Sequence, residues 1–144
     1  MTTNFTLEEL IFSGYATRNN IKNIPSPEVI TALTDVCILI LEPLRKAIGK
    51  PIRVNSGYRS PVLNKAIGGS KSSQHCLGQA VDIVVPGMLI EDLFQKIIAL
   101  NLPFDQLIQE FGQWIHISYR ANGRRQKLRA LKKNGKTVYI PINT

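Results

Sequence analysis

The chain has 144 residues, 44% of them hydrophobic, and carries a formal net charge of +8 with a pI of about 9.8. This length and composition predict a single folded domain over residues 1–144 and argue against intrinsic disorder. No apolar run reaches the roughly 18 residues that a membrane-spanning helix needs, and two cysteines do not make a disulfide framework.

The positive charge favours an anionic partner, either a nucleic acid or an anionic cell-wall polymer. Much of it lies in a basic C-terminal extension, about residues 120–144, for which a solvated basic face is the simpler interpretation. No stacked-aromatic run or known nucleic-acid motif supports nucleic-acid binding, so that function is disfavoured. The N-terminus has neither the basic start nor the apolar stretch of a signal peptide, which predicts synthesis in the cytoplasm.

The first half of the chain carries helical patterns. Residues 6–9 have capping-box spacing and predict a short helix. Ser26 followed by Pro27 predicts the start of a longer one, because apolar residues then recur at helical spacing from 29 to 48. We expect Pro43 to bend this helix or to break its last turn.

Short strands dominate the second half. A short helix is expected from Ser60 to about residue 68, and helical periodicity also marks residues 89–100. The strand-like segments are 51–55, 80–85, 104–110, 113–119 and 137–140. Gly112 separates two of them and predicts a hairpin. Helices followed by strands indicate an α+β fold, with N-terminal helices packed on a small, mainly antiparallel sheet.

The chain's two histidines lie where a metal site would need them. His75 falls in a polar loop, 70–78, that precedes the strand carrying Asp82. His116 shares a strand face with Trp114, because alternate residues of a strand face the same side. Two His and one carboxylate are a recurrent catalytic zinc set, since three protein ligands leave a fourth position open. The alternative is a core hydrogen bond between a buried Asp and a His.

Other residues are weaker candidates. Cys76, beside His75, is interpreted as a packed free thiol, with a spare metal ligand as the alternative. A hydrolytic site needs a general base; Glu110, six residues before His116, and Asp105 are candidates, whereas Gln113 cannot act as a base. A solvated turn carboxylate is the alternative for Glu110.

Three further side chains, and one aromatic ring, could contact a substrate. Arg59 lies in a tight turn after a strand and suits a carboxylate or an oxyanion, with a salt bridge beside a helix as the alternative. Ser73 and Gln74 could donate hydrogen bonds near the metal, although the loop could need them for its own backbone. Trp114 could wall the pocket or simply belong to the core.

These motifs together resemble the zinc D-alanyl-D-alanine carboxypeptidase family, which includes murein endopeptidases and phage endolysins and shares its fold with the hedgehog signalling domain. The resemblance covers about Phe5 to Asn122. It rests on residues 56–61, Leu63-Asn64, residues 67–70, Ser73-Gln74-His75 with Gly78, Ala80 and Asp82, and residues 114–117.

The resemblance implies a zinc ion held by His75, Asp82 and His116. It also implies hydrolysis of peptidoglycan stem peptides at or near D-amino acids, by a carboxypeptidase or a murein endopeptidase, with Arg59 facing the substrate or the transition state. Many members place the catalytic acid three residues before the last His, where this chain has Gln113. Hedgehog-like members carry a Glu six residues before it, which matches Glu110, so we predict Glu110 as the general base.

The departure at Gln113 keeps a second hypothesis open, namely a non-catalytic zinc module that recognises cell-wall peptides or a protein partner. A peptidoglycan substrate lies outside the membrane, so we expect a phage or prophage lysis enzyme released to the cell wall, a cytoplasmic enzyme acting on recycled muropeptides, or a chain whose leader has been removed. Ligand type alone leaves the metal open among zinc, copper, nickel and cobalt.

Overall fold

The first two helices are short and are fixed by local caps. In the computed structural model, which describes residues 1–142, α1 spans Leu7–Ile11, and its N-cap Thr6 forms the predicted capping box with Glu9. The following helix, α2, spans Gly14–Arg18 and was not predicted. Its N-cap Ser13 accepts a hydrogen bond from a backbone N–H of the first turn, which stabilises even so short a helix.

The long predicted helix is present and continues through Pro43. It consists of α3, Pro27–Val36, a π-helical turn at Cys37–Leu41, and α4, Glu42–Ile48. A proline inside a helix lacks an N–H and clashes with the carbonyl four residues earlier. The wider turn just before Pro43, in which Glu42 N–H bonds to Cys37 O, accommodates the ring without ending the helix.

The remaining elements build the sheet and its connections. Helix α5 spans Pro61–Ala66, a 3₁₀ turn spans Gln74–Leu77, and α6 spans Ile90–Ala99. The strands are β1 Arg53–Ser56, β2 Ala80–Val84, β3 Gln106–Glu110, β4 Trp114–Ser118, β5 Gln126–Lys133 and β6 Lys136–Pro141. Their order is β1-β2-β4-β3-β5-β6, and every pair is antiparallel except β3 and β5. The α+β prediction is therefore confirmed.

Two strands lie in the basic C-terminal segment. The last strand was expected at 137–140 and is observed as β6, whereas β5 was not predicted. In β5, Leu128 and Ala130 are buried on one face. Arg129, on the other face, donates to Glu91 of α6 at 2.8 Å. Because β5 contains many Lys and Arg residues, its alternation of buried and exposed side chains is not visible in the hydrophobicity pattern.

The main core fills the space between the helices and one face of the sheet. Its helical part includes Leu33 and Phe94, and its sheet part includes Ile83, Ile115 and Ile117. Because neighbouring strand residues face opposite sides, the residues between these positions lie on the other face of the sheet, away from the main core. Within residues 1–142, no helix combines the length and the apolar character that crossing a bilayer requires.

Replacing Leu33 with Ala should lower the free energy of unfolding by about 2–5 kcal/mol, because Leu33 is fully buried and its truncation leaves a cavity. The same substitution at Leu89, which is 72% exposed, should change stability by no more than about 0.5 kcal/mol. Denaturant unfolding of both variants measures the difference, and equal losses would contradict this location of the core.

Candidate metal centre

Two of the three predicted ligands face each other across neighbouring strands. Asp82 of β2 is directly opposite His116 of β4 in the antiparallel register, on the face away from the main core. The Nδ1 atom of His116 lies 3.0 Å from Oδ1 of Asp82. His75 joins them from the 3₁₀ turn. One donor atom from each of the three residues lies within 4.8 Å of the others.

The hydrogen bonds of His75 leave one ring nitrogen free. Its Nδ1 is 2.7 Å from the carbonyl oxygen of Gly57, so Nδ1 carries the proton and donates it. In the neutral ring Nε2 then holds a lone pair, and this buried atom forms no hydrogen bond within the described residues. Oδ1 of Asp82 is 3.3 Å away. Two lone-pair atoms this close, His75 Nε2 and Asp82 Oδ1, favour a cation between them. The set of lone-pair atoms therefore fits a metal ion.

Two glycines allow this arrangement of the backbone. A Cβ at Gly57 would lie 2.1 Å from the carbonyl oxygen of Leu10, so only glycine lets the Gly57 carbonyl reach His75. Gly78 ends the 3₁₀ turn with φ of 72°, and a Cβ there would lie 2.7 Å from the carbonyl oxygen of Val29. The sharp turn predicted at Gly78 is thus present, and it returns the chain into β2.

The charge of Asp82 is stabilised by its neighbours. Burial opposes its ionisation, but the interactions with His116 and His75 outweigh burial and hold the pKa of Asp82 well below its usual range. The ionised carboxylate is the form of Asp82 that can bind a divalent cation.

Arg59 lies beside the ligands and is held in place. Its Nη1 donates to Oδ1 of Asn64 at 3.1 Å, and Nη2 is 4.0 Å from Oδ2 of Asp82. The Nε atom is buried and has no hydrogen-bond partner within the described residues. Asn64, buried itself, also donates to the carbonyl of Ser70. Arg59 therefore presents a fixed cation to the cleft, and the orienting role of Asn64 was not predicted.

Glu110 lies on the same face of the sheet as His116. It is paired with Trp114 in the β3–β4 hairpin, and directly opposed strand residues share a face. Burial raises the pKa of Glu110, and the negative charge of Asp82 raises it further. Gln113 is exposed in the hairpin turn, where its N–H donates to the carbonyl of Glu110 at 2.8 Å.

Asp105, the other carboxylate considered as a base, is fully buried and fully engaged. Arg124 donates to it from its backbone N–H at 2.7 Å, from Nε at 3.0 Å and from Nη2 at 2.9 Å. Gln74 donates to it at 2.9 Å, and Arg120 lies 3.3 Å away. This network fastens the segment after β4 to the turn that carries His75. No sequence pattern links Asp105 to an arginine 19 residues later.

Ser73, Gln74 and Trp114 line one cleft of about 750 Å³ with the three predicted ligands. Ser73 caps the 3₁₀ turn by accepting from the N–H of His75 at 3.1 Å. The side-chain amide of Gln74 donates to Asp105 and Gln79 through Nε2 and accepts from Arg124 through Oε1. Trp114 packs edge-on against Phe111 with 5.8 Å between ring centres. Cys76 is not among the converging donor groups.

Comparison with known proteins identifies the family. The sequence profile of the Peptidase M15 family matches residues 3–118. The chain belongs to the peptidase M15 family. A zinc D-Ala-D-Ala carboxypeptidase from Streptomyces albus G is 46% identical over 44 residues, which are 30% of this chain and 17% of that relative. The aligned segment thus spans under a fifth of the relative's length. The family resemblance is confirmed, and it supports a peptidase with a metal centre.

Replacing Asp105 with Asn should lower the free energy of unfolding at neutral pH by about 1.5–3 kcal/mol, the usual worth of hydrogen bonds to a charged group. Burial opposes ionisation of Asp105, but the hydrogen bonds from Arg124 and Gln74 hold its pKa below the ordinary value. Its stabilising contribution is therefore complete above about pH 4 and is lost as the pH falls further.

The difference between wild type and the Asp105→Asn variant should accordingly shrink below about pH 4, as measured by urea unfolding across a pH series. The Asp35→Asn variant, at an exposed position of α3, is the matched control and should leave both stability and its acid dependence nearly unchanged. A difference that stays constant with pH would contradict the ionised state of Asp105.

Proposed function

We propose that the protein is a zinc-dependent peptidase that hydrolyses peptidoglycan stem peptides at or near D-amino acids. The observation that carries the proposal is the convergence of His75, Asp82 and His116, with a buried and unpartnered His75 Nε2, in a chain of a peptidase family. The name of the Streptomyces relative supports zinc as the metal and a D-Ala-D-Ala peptide as the substrate class.

His75, Asp82 and His116 would hold the ion. Zinc bound there supplies Lewis acidity and lowers the pKa of a water molecule toward about 7. The chain's contribution is to fix the ligands before binding. Gly57 orients His75 through its carbonyl, and the β2–β4 register sets Asp82 against His116. Such orienting contacts usually matter almost as much as the ligands themselves.

Glu110 is assigned the proton transfers. Its carboxylate accepts the proton of the attacking water and later donates it to the nitrogen of the leaving amine. The raised pKa of Glu110 suits this exchange, because a carboxylate that holds a proton more tightly is both a better base and a usable acid near neutral pH. The strand position of Glu110 keeps it on the cleft face, beside the ligands.

Arg59 is assigned to the substrate. Its guanidinium is largely buried and lines the cleft, so it offers directed N–H donors to a carboxylate or to the oxyanion that develops at the scissile carbonyl. Ser73 and Gln74 belong to the wall of the cleft and act by holding His75 and the C-terminal segment. We also propose that the basic C-terminal surface contacts anionic cell-wall polymers.

Zinc binding should require His116 but not Cys76. The His116→Ala variant should bind zinc at least about 100-fold more weakly, since even changes to groups that only orient ligands cost 10- to 100-fold. Cys76→Ala is the matched control beside His75 and should keep wild-type affinity, with one zinc per chain. Competition with a chromophoric chelator measures both affinities. Weak binding by Cys76→Ala would instead assign the thiol as a ligand.

Replacing Glu110 with Gln should lower kcat by about 10²- to 10⁴-fold, because the proton acceptor is lost, while zinc affinity stays close to that of wild type. The control is Gln113→Ala, which removes an exposed turn side chain and should leave kcat within about twofold. The assay follows products from purified peptidoglycan and from a D-Ala-D-Ala stem peptide by mass spectrometry.

Released D-alanine would identify a carboxypeptidase, and shortened stems or opened cross-links would identify an endopeptidase. No product from the zinc-loaded wild type on either substrate would reject the peptidase proposal and favour the non-catalytic zinc module. An unchanged kcat in Glu110→Gln would reject Glu110 as the base and leave the peptidase assignment in place.

A further inference from the structure

The cleft extends well beyond the metal centre across the sheet. Through successive strand pairings, Asp82 and His116 are in register with Ile108 of β3, Leu128 of β5 and Pro141 of β6. A second row joins Trp114, Glu110, Ala130 and Tyr139 in the same way. The structure brings these rows to one face, opposite the main core. The β5–β6 hairpin thus extends the sheet face that carries Asp82 and His116. We call this face the floor of the cleft.

The composition of this floor is unusual for an open sheet face. The uncovered face of an antiparallel sheet is normally polar. Here Ile108, Leu128 and Ala130 form a small apolar cluster separate from the main core, with Phe111 packed against it. Tyr139 borders this cluster and is 52% exposed. Ile108 and Leu128 are largely buried but line the cleft, so the half-exposed ring of Tyr139 is the part of this patch most open to another molecule.

Polar side chains bound the apolar strip on both sides. Gln106 and Gln126 are hydrogen-bonded to each other at 2.8 Å along one edge. Lys132 donates to Thr137 at 3.0 Å along the other. The strip, which we call the shelf, is therefore delimited inside the cleft and crosses three strands, β3, β5 and β6. The family profile ends at residue 118, so Leu128, Tyr139 and Pro141 of the shelf lie outside the matched region.

We propose that the β5–β6 hairpin supplies a substrate subsite for an aliphatic residue of the stem peptide, with Tyr139 as its specificity-determining side chain. The inference rests on the proposed function for the identity of the peptide. The continuity of the shelf with the metal centre, within one cleft, makes the peptide its occupant. The exposed edge of Tyr139 packs on the aliphatic side chain, and the hydrogen-bonded pair Gln106 and Gln126 forms the polar border of the subsite.

The strand spacing places this subsite at a definite distance along the peptide. Neighbouring strands are about 4.8 Å apart, so Leu128 lies roughly 10 Å and Pro141 roughly 14 Å from His116 across the floor. An extended peptide advances about 3.4 Å per residue. The occupant is thus the third or fourth residue from the bond held at the metal centre.

A double-mutant cycle between Tyr139 and the peptide tests the proposal. Synthetic stem peptides in which each residue in turn is replaced by glycine are titrated into zinc-loaded protein by calorimetry, in a Glu110→Gln background, with peptide integrity checked by mass spectrometry. Tyr139→Thr truncates the ring and keeps a β-branched residue in the strand. Tyr139→Phe keeps the ring, and Val138→Thr alters the opposite face of β6.

We expect Tyr139→Thr to weaken binding of the unmodified peptide by about 5- to 10-fold, as the loss of one apolar contact surface requires. At one peptide position, three or four residues from the cleaved bond, glycine should then cause no further loss, because the two changes remove the same contact. Tyr139→Phe and Val138→Thr should retain the wild-type pattern.

Strictly additive losses at every peptide position, or no measurable binding of the peptide, would overturn the subsite. Turnover by the wild-type protein bears on the proposed function separately. Turnover without coupling would keep the peptidase and reject the subsite, whereas coupling without turnover would keep the subsite and reject the peptidase.

Discussion

The pairing of β2 with β4 is the constraint on which the site depends. Its register sets Asp82 directly opposite His116 on the face away from the main core. A slip of one residue would turn Asp82 into the main core and bring Ile83 or Val81 to the cleft. Burial of the isoleucines of both strands therefore also fixes the positions of the predicted ligands. The same strand register thus forms the hydrophobic core on one face of the sheet and the candidate metal centre on the other.

The third ligand depends on a close approach of two backbones. His75 is oriented by the carbonyl of Gly57, which reaches it only because Gly57 lacks a Cβ that would collide with Leu10. Two residues after Gly57, Arg59 donates its N–H to the carbonyl of His75 at 3.1 Å. The turn after β1 therefore positions two residues of the cleft at once, the predicted ligand His75 and the predicted substrate contact Arg59.

Local rules predict most of the elements, because caps and side-chain alternation act within a few residues. The capping box at Thr6, the strand around Asp82 and the hairpin through Gly112 all follow from such short patterns. Strand parity likewise anticipates that His116 and Trp114 share a face. Contacts between segments that are distant in sequence produce no such local pattern. The bonds from Arg124 to Asp105 and the parallel pairing of β5 with β3 arise only in the folded chain, and the charges of β5 obscure its alternation.

The position of the acid also follows from the hairpin. Gln113 lies in the exposed turn, where its backbone closes the hairpin onto Glu110. Glu110 itself is the last residue of β3 and is held between neighbours on two strands, Trp114 and Ala130. An acid on the strand is fixed by sheet hydrogen bonds and partly desolvated, which raises its pKa. A carboxylate at position 113 would be mobile and solvated. If Glu110 is the general base, as we propose, its place on β3 both orients it and raises its basicity.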